Sequence, residues 1–567
     1  MPTATYGPFL VNNKRVNTKV RVKAGDRIGI VASGEVDFGG AVIGIGAPVL
    51  DANGDDWETP PDYPAPNLRK NSLICDIGGT FFQGGVNTSF TSTADGVLIL
   101  QPNDKDLKDN SRGWRVIVYH SFPDPVAPGV SPQPVPDPIR GSWWFYTLDG
   151  EGGIFGPDCG YSPSAVLFNG RLHVFHGELS GDFNLRHLDF DPLQEWVWAG
   201  GPPPAPDRNI EVLDGDGEPN GRTARPVGWT TLAIVHNNAI HVFYPQITVE
   251  GFFALRHATF NGSTWAFAIL DGLGGTSGRV NGDVVRFIWS TLSAVSVSGE
   301  LHLFYFGLTD RDRGPGPDGS GQRTGVLRHA RLSASGTWRF EVLDGEGGPN
   351  GRLNALAGEG FVGHTSAALV DRNGRMHVFY SHSLVAEDQE DATNLRHAWS
   401  DDGTNWQFET LDGQGGPDGR IRAHVGLFPT AIEFENKIYV FYYDSTYENV
   451  RYGVFDGNRW YFEALDGTGG KNGRVKANVG GAPMAAAKLD DQLSLFYWDS
   501  TNGNLRHAFW KGVNWQFETL DGEWSDNFGR ISAAVGWRTA ALAVTPRRMA
   551  VFYRDASSTD LRYAEFK

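Results

Sequence analysis

Cysteine is almost absent from this chain: two, Cys75 and Cys159, in 567 residues. A disulfide framework is thereby excluded as the main stabiliser. No apolar run approaches the ~18 residues of a membrane-crossing helix, and no long segment repeats its apolar residues at helical spacing. Positive charge is in deficit, with 49 Lys and Arg against 66 Asp and Glu, a net charge of −17 and no basic block. Nucleic acid and anionic membrane surfaces are excluded as main partners, and membrane insertion with them. The opening residues "MPTATYGPFLVNNKRV" lack the apolar core of a secretory leader. Synthesis in the cytoplasm, with extracellular action after non-signal release or lysis, is therefore the expectation.

What is abundant points one way. Seventy-three glycines, 32 prolines and 12% aromatic residues favour short strands joined by tight turns, so the expected class is all-β. A chain this long exceeds one ordinary core and calls for several domains or a repeat array. An acidic, aromatic-rich surface suits neutral ligands such as sugars, and equally suits plain solubility.

Residues 121–138, "SFPDPVAPGVSPQPVPDP", hold seven prolines. Such a run cannot join a sheet interior and reads as an extended spacer. The expected division is an N-terminal domain over 1–120, a linker over 121–140 and a C-terminal domain over 141–567.

The C-terminal domain repeats. Leu-Asp-Gly recurs at Leu148, Leu213, Leu270, Leu343, Leu411, Leu465 and Leu520. Leu/Val-Arg-His/Tyr begins at Leu185, Leu255, Leu327, Leu395, Val450, Leu505 and Leu561. A third motif, "HVFY" in type, ends at His176, Tyr244, Tyr305, Tyr380, Tyr442, Tyr497 and Tyr553. The unit size matches a four-stranded propeller blade. In the last unit the strands read Arg538–Val544, Met549–Tyr553 and Leu561–Ala564, and a fourth strand reads Trp515–Gly522 in the unit before. The domain opens on a lone fourth strand, "GSWWFYTLDG" (141–150), and ends after a third strand. Pairing of these two ends closes a ring of seven blades and removes the open edge.

The crossover motif "LDGxGGPxGR" resembles a phosphate loop or a metal loop at first sight. It lacks the Gly-Lys-Ser/Thr and the helix of the former and the closing Glu of an EF-hand. It reads as an inter-blade turn whose glycines take positive φ and whose Asp, such as Asp412, accepts backbone N–H groups. The histidines of "LRHA" (His187, His257, His329, His397, His507) fall one per blade, with Tyr452 and Tyr563 replacing two. That favours aromatic packing over a metal centre.

Variation between units is the better guide to function. Arg222, Arg279, Arg352, Arg420, Arg474 and Arg530 follow six crossovers. A position shortly after holds Trp229, Trp289, His364, Leu427, Gly481 and Trp537. Tryptophan offers a flat face to a sugar ring and arginine charge-assisted hydrogen bonds to hydroxyls. The candidate sugar-binding residues are Arg222 with Trp229, Arg279 with Trp289, and Arg530 with Trp537. The plainer reading is that the tryptophans plug seams and the arginines tie crossovers down. No Gly-x-Ser-x-Gly elbow or His-Glu-x-x-His motif is present, and "SDDGTNW" (400–406) is one residue short of a sialidase Asp-box. Seven near-equivalent units suit multivalent binding.

The pattern "WxFExLDGxGGxxGR … VFY … LRHA", over residues 141–567, resembles the PLL-type seven-bladed propeller lectins. That resemblance implies pockets between neighbouring blades for fucose and O-methylated sugars.

In the N-terminal domain, alternating segments such as "TKVRVKAGDRIGIVASGEV" (18–36) and "GVLILQPND" (96–104) suggest a β-sandwich. The loop "NDKDLKDNSRGW" (103–114) packs hard oxygen donors suited to calcium, though an acidic loop is commonly a solvated turn. "GDRIGIVASGEVDFGG" (25–40), "NLRKNSLICDIGG" (67–79) and that loop together are similar to the LecA-type (PA-IL) galactophilic lectins. The resemblance implies Ca2+ held by Asp104, Asp109 and Asn110, with backbone carbonyls near Asp106 and at Phe38. It implies galactose hydroxyls on the same ion, a polar contact near Asn71, and Leu68 where that family has a histidine.

The reading is therefore an all-β protein with an N-terminal LecA-like β-sandwich and a C-terminal seven-bladed β-propeller. It is expected to act as a non-enzymatic lectin for glycans, galactosides on one module and fucosides on the other. Its alternatives are a glycan-processing enzyme and a protein-binding scaffold. A homo-oligomer is compatible with the sequence.

Overall fold

The structure is a computed structural model. It describes residues 3–38, 49–50, 52–54, 59–85, 87–108, 110–121, 143–150, 157–179, 183–193, 206–217, 221–249, 251, 253–280, 284–285, 290–309, 324–355, 360–386, 389–490, 492–510, 512, 514–526 and 528–567. The chain forms two compact units, Met1–Arg140 and Gly141–Lys567. The proline-rich stretch falls almost wholly outside the described residues. Among the described residues every element is a strand, and no helix is long and apolar enough to cross a membrane.

The first unit contains β1 (Thr3–Val11), β2 (Val16–Val22), β3 (Arg27–Asp37), β4 (Val49–Leu50), β5 (Leu73–Ile77), β6 (Thr80–Gln83), β7 (Asn87–Thr91), β8 (Gly96–Pro102) and β9 (Ser111–Ser121). One sheet runs β1-β9-β3-β4 with β7 also on β3, and the other runs β2-β8-β5-β6. Val20 and Val22 of β2, Ile28 and Ile30 of β3, Leu98 and Leu100 of β8, and Val116 and Val118 of β9 fill one core. Each of these pairs is spaced by two, as a strand burying one face requires.

The second unit consists of seven four-stranded antiparallel sheets. Blades I to VI span 161–214, 232–271, 293–344, 361–412, 425–466 and 485–521. Blade VII joins three strands of 535–566 to β10 (Trp143–Asp149), which pairs with Asp560–Phe566 from Trp143↔Phe566 to Asp149↔Leu561. The first and last strands of this unit therefore close the ring. The seven innermost strands together line one axial cavity of about 300 Å³, bordered by Ser164, Thr231, Ser293, Ser366, Thr430 and Thr539 among others.

A buried polar staple at six of the seven seams explains the repeated Leu-Asp-Gly. Asp412 Oδ1 accepts the amides of Gly413 (2.9 Å) and Ile421 (2.8 Å), fixing its own crossover. Its Oδ2 accepts Tyr442 Oη–H (2.6 Å) and Arg451 Nε–H (3.2 Å) from the next blade. The sets Asp214–Tyr244–Arg256, Asp271–Tyr305–Arg328, Asp344–Tyr380–Arg396, Asp466–Tyr497–Arg506 and Asp521–Tyr553–Arg562 repeat it. Burial, and then the neighbouring aspartate, push these tyrosine hydroxyls up, so they stay protonated donors. The glycine before each crossover arginine is required by space. At Gly419 φ is +83°, and a Cβ would lie 1.9 Å from the Phe462 carbonyl oxygen.

Each Leu-Arg-His histidine stacks on the Phe of its neighbouring strand. Ring centroids lie 4.8 Å apart for Phe175–His187, 4.7 Å for Phe243–His257 and 4.6 Å for Phe496–His507. A tryptophan of the following blade meets each pair edge-on, as Trp265, Trp338 and Trp143 do.

Candidate functional site

The variable seam position lies at the start of each innermost strand or just before it. There the strand pairing slips by a bulge, at Tyr161/Ser164, Leu427/Thr430 and Trp537/Ala540. The following residue takes left-handed backbone at Ser162 (φ 49°), Phe428 (φ 51°) and Arg538 (φ 56°). A bulge of this kind re-aims side chains at a sheet rim, here toward the seam.

The six crossover arginines are already engaged. Arg222 sits over Phe267, Arg279 over Phe340 and Arg530 over Phe145, at 5.6, 5.5 and 5.0 Å from the ring centroids. Arg530 Nε–H donates to the Leu520 carbonyl at 2.8 Å. These contacts bind each crossover to the outer strand of the next blade, which is the tie-down role. Trp229 is 3% exposed and edge-on to Phe253 at 5.3 Å. Trp289 lies outside the described residues.

Trp537 is different: it is half-buried and shares its seam with other polar and aromatic groups. Tyr161, from blade I, packs edge-on to it at 5.0 Å. The Arg538 guanidinium lies 4.5 Å from the Tyr161 ring centroid and 5.1 Å from that of Trp537. The Arg554 guanidinium lies 5.6 and 5.9 Å from the same rings. Arg554 Nη1 also forms an ion pair with Asp158 Oδ1 (2.6 Å), and its N–H donates to the Cys159 carbonyl (3.2 Å). Burial pushes the Arg538 guanidinium down to about 10, with Tyr161 opposing and Arg554 assisting, so it remains charged at neutral pH. The seam between blades VII and I thus joins two aromatic rings, two cations and one carboxylate.

Sequence reasoning reached Trp537 and missed Tyr161, Arg538, Arg554 and Asp158. The signal was present: "CGYSP" (159–163) stands in register with "VGWRT" (535–539), but blade I lacks the Gly-Arg landmark used to align the others.

In the first unit, one end of the sandwich gathers the loop residues. The β3–β9 ladder ends at Asp37↔Ser111, which sets Phe38 and Asn110 next to each other at its end. Phe38 packs on Trp114 at 5.8 Å. Asn103 anchors the loop: its side-chain amide donates to the carbonyls of Ala65 and Arg69, each at 2.9 Å. Its own carbonyl accepts Asn71 N–H, also at 2.9 Å, bringing Asn71 beside Asp104. Asp104 is buried and Asp106 exposed, and Asp109 lies outside the described residues. Asn110 Nδ2–H donates to the Asn12 carbonyl at 3.3 Å, while its buried Oδ1 has no hydrogen-bond partner. An unpartnered buried carbonyl at Asn110 and a buried carboxylate at Asp104, both in this loop, are donor types that fit a hard cation.

No family model matches the chain, and no curated protein matches it. Among solved structures, a protein of unknown function from Dyadobacter fermentans aligns with TM-score 0.40 and 13% identity, over 76% of this chain and 100% of that one. A variant of Aleuria aurantia lectin in complex with α-methyl-L-fucoside aligns with TM-score 0.35 and 13% identity, over 64% of this chain and 96% of that one. Trypanosoma rangeli sialidase with the inhibitor DANA aligns with TM-score 0.35 and 11% identity, over 59% and 54%. The bladed architecture rests on the strand pairing above and not on these likenesses.

Proposed function

We propose that the protein is a two-module lectin that binds glycans without chemical turnover. The observation that carries this reading is the VII/I seam, where half-buried Trp537 stands beside Tyr161 with Arg538 and Arg554 packed on both rings. Stacking on an aromatic face and charge-assisted bonds to hydroxyls are what sugar recognition needs. The resemblance of the blade pattern to the PLL-type propeller lectins points to fucosides and O-methylated sugars as the ligand class. Trp229 and Trp289 mark the other candidate seams.

The first module is proposed to take galactosides through Ca2+. The residues that would hold the ion are Asp104, Asp109 and Asn110 through side chains, with carbonyls at Phe38 and near Asp106. When bound, the ion supplies coordination sites to sugar hydroxyls. Asn103 holds this loop in place, and Asn71 presents a polar group beside it.

A glycan array on the full chain, with calcium and then with EDTA, tests both halves. Galactosides should vanish in EDTA while fucosides persist, and Trp537→Ala should weaken fucosides roughly tenfold or more, as loss of a stacking contact does. Absence of binding in both conditions, or turnover of a fluorogenic glycoside, would overturn the reading.

A further inference from the structure

One of the seven seams replaces its staple with different chemistry. At the entrance to blade I the buried residue is Cys159, whose amide donates to the Thr559 carbonyl at 2.7 Å. The same bond is made by Val227 to Phe183, Val284 to Phe253, Val479 to Glu448 and Val535 to Gly503. Valine is thus the residue at this place elsewhere. The tyrosine of the staple is also replaced, by His176, the last residue of "HVFH". Both exchanges fall at the same seam, against Asp149 at the end of β10. Cys159 and His176 are fully buried and Asp149 is 5% exposed. Cys159 Sγ, a nitrogen of His176 and a carboxylate oxygen of Asp149 all lie within 4.8 Å of one another.

We propose that Asp149, Cys159 and His176 form a structural site for a borderline divalent transition cation, Zn2+ above all, that pins the seam following the ring-closing strand. Sulfur, imidazole and carboxylate are the ligands zinc takes, at ~2.0–2.3 Å each, with a fourth place for water. Tetrahedral ligands at those lengths stand ~3.3–3.7 Å apart, so capture needs the three groups to close by about 1 Å. A sulfur ligand excludes calcium and magnesium as the fitting ions.

Charge and hydrogen bonding agree with this ligand set. Arg186 donates to both oxygens of Asp149, at 2.6 and 3.0 Å, and to Glu178 at 3.1 Å. With Cys159 as neutral thiol, one guanidinium faces two carboxylates, and the pocket carries one excess negative charge. Binding releases the thiol proton to solvent, and thiolate plus Asp149 then neutralise the ion, leaving Arg186 and Glu178 as a balanced pair. His176 Nε2 lies 3.2 Å from Asp149 Oδ2 but outside hydrogen-bonding geometry. Its Nδ1 accepts the Gly160 amide N–H at 3.1 Å and lies 3.3 Å from the Gly177 carbonyl. A metal on Nε2 moves the ring proton to Nδ1, which releases the Gly160 amide and turns Nδ1–H to the Gly177 carbonyl, the usual outer-shell arrangement of a ligating histidine.

The test is built into the repeat. The double variant Cys159→Val, His176→Tyr installs the pair that the other seams carry, so it retains the fold. Full-length protein is produced in defined medium with Co2+ as the probe. Wild type should retain about one equivalent of cobalt with a thiolate-to-cobalt charge-transfer band, and the double variant should lose the band with an unchanged circular-dichroism spectrum. The band must also survive Cys75→Ala, since Cys75 is the chain's other thiol. Zinc-loaded wild type should melt lower after a strong chelator strips it, whereas the double variant should not respond. A wild type without the band, or a band that persists in the double variant, overturns the site. Either result leaves the glycan reading untouched.

Discussion

At the residue scale the recurrent event is a carboxylate removed from water and satisfied on both oxygens. In the Asp344 staple, Tyr380 Oη–H and Arg396 Nη2–H share Oδ2 at 2.6 and 3.2 Å, and Oδ1 takes the Gly345 and Leu353 amides. Tyr380→Phe removes one donor and leaves the other, so the expected loss is about 1–3 kcal/mol. Asp344→Ala strands a buried guanidinium and should cost more, about 3–5 kcal/mol. Denaturant melts of the two variants check the order: equal midpoints would mean that stranding Arg396 costs no more than losing the Tyr380 hydroxyl. The sequence carried this site only in part. Seven Leu-Asp-Gly copies made the aspartate visible as a backbone acceptor, but its partners lie one blade away, about 30 to 57 residues on in the chain. Periodicity marks that Tyr442 and Arg451 recur, not that they meet.

At the element scale the strands were legible because alternation and repetition agree. The expected Met549–Tyr553, Leu561–Ala564 and Trp515–Gly522 fall within or match strands Arg548–Asp555, Asp560–Phe566 and Trp515–Asp521 to within one residue. The innermost strand begins earlier than expected, at Val535 rather than Arg538, because a bulge interrupts it. Left-handed backbone at residues as large as Arg538 and Phe428 leaves no composition cue. The same strands carry paired histidines. His241 Nδ1 lies 2.9 Å from His257 Nε2, and burial first, then a neighbouring histidine, lowers them to about 4 and about 3. An unfolded histidine titrates near 6.5, so between that pH and the folded values the unfolded chain binds more protons. Stability therefore falls as pH drops below about 6.5, by on the order of 1–2 kcal/mol per such histidine at pH 5. Blade VI places Ser494 opposite His507, at 3.0 Å. His241→Ser copies that arrangement and should narrow the gap in Tm between pH 7 and pH 5; an unchanged or wider gap would reject the cause.

At the scale of the whole molecule, each unit has its own core. The first is organised around Val20, Ile28, Leu100, Trp114 and Val116, and the second around clusters that each span one seam, such as Val450, Leu465 and Tyr497 between blades V and VI. A propeller unit held by seven seams and closed by β10 melts as a ring, whereas the sandwich can melt by itself. Calorimetry of the full chain should show two transitions. Calcium at a hundredfold excess over its Kd stabilises the folded form that binds it by about 2.7 kcal/mol. For a domain of the sandwich's size that is a rise on the order of 10 °C in one transition, with the other unmoved and EDTA reversing it. The transition that moves identifies the unit holding the ion. Asn110→Ala removes the unpartnered buried carbonyl together with the long hydrogen bond to Asn12, and should abolish the calcium response while lowering the calcium-free melting point only slightly. A calcium response in the propeller transition, or one that survives Asn110→Ala, places the ion elsewhere and removes the physical basis for galactoside capture by the loop at 103–114.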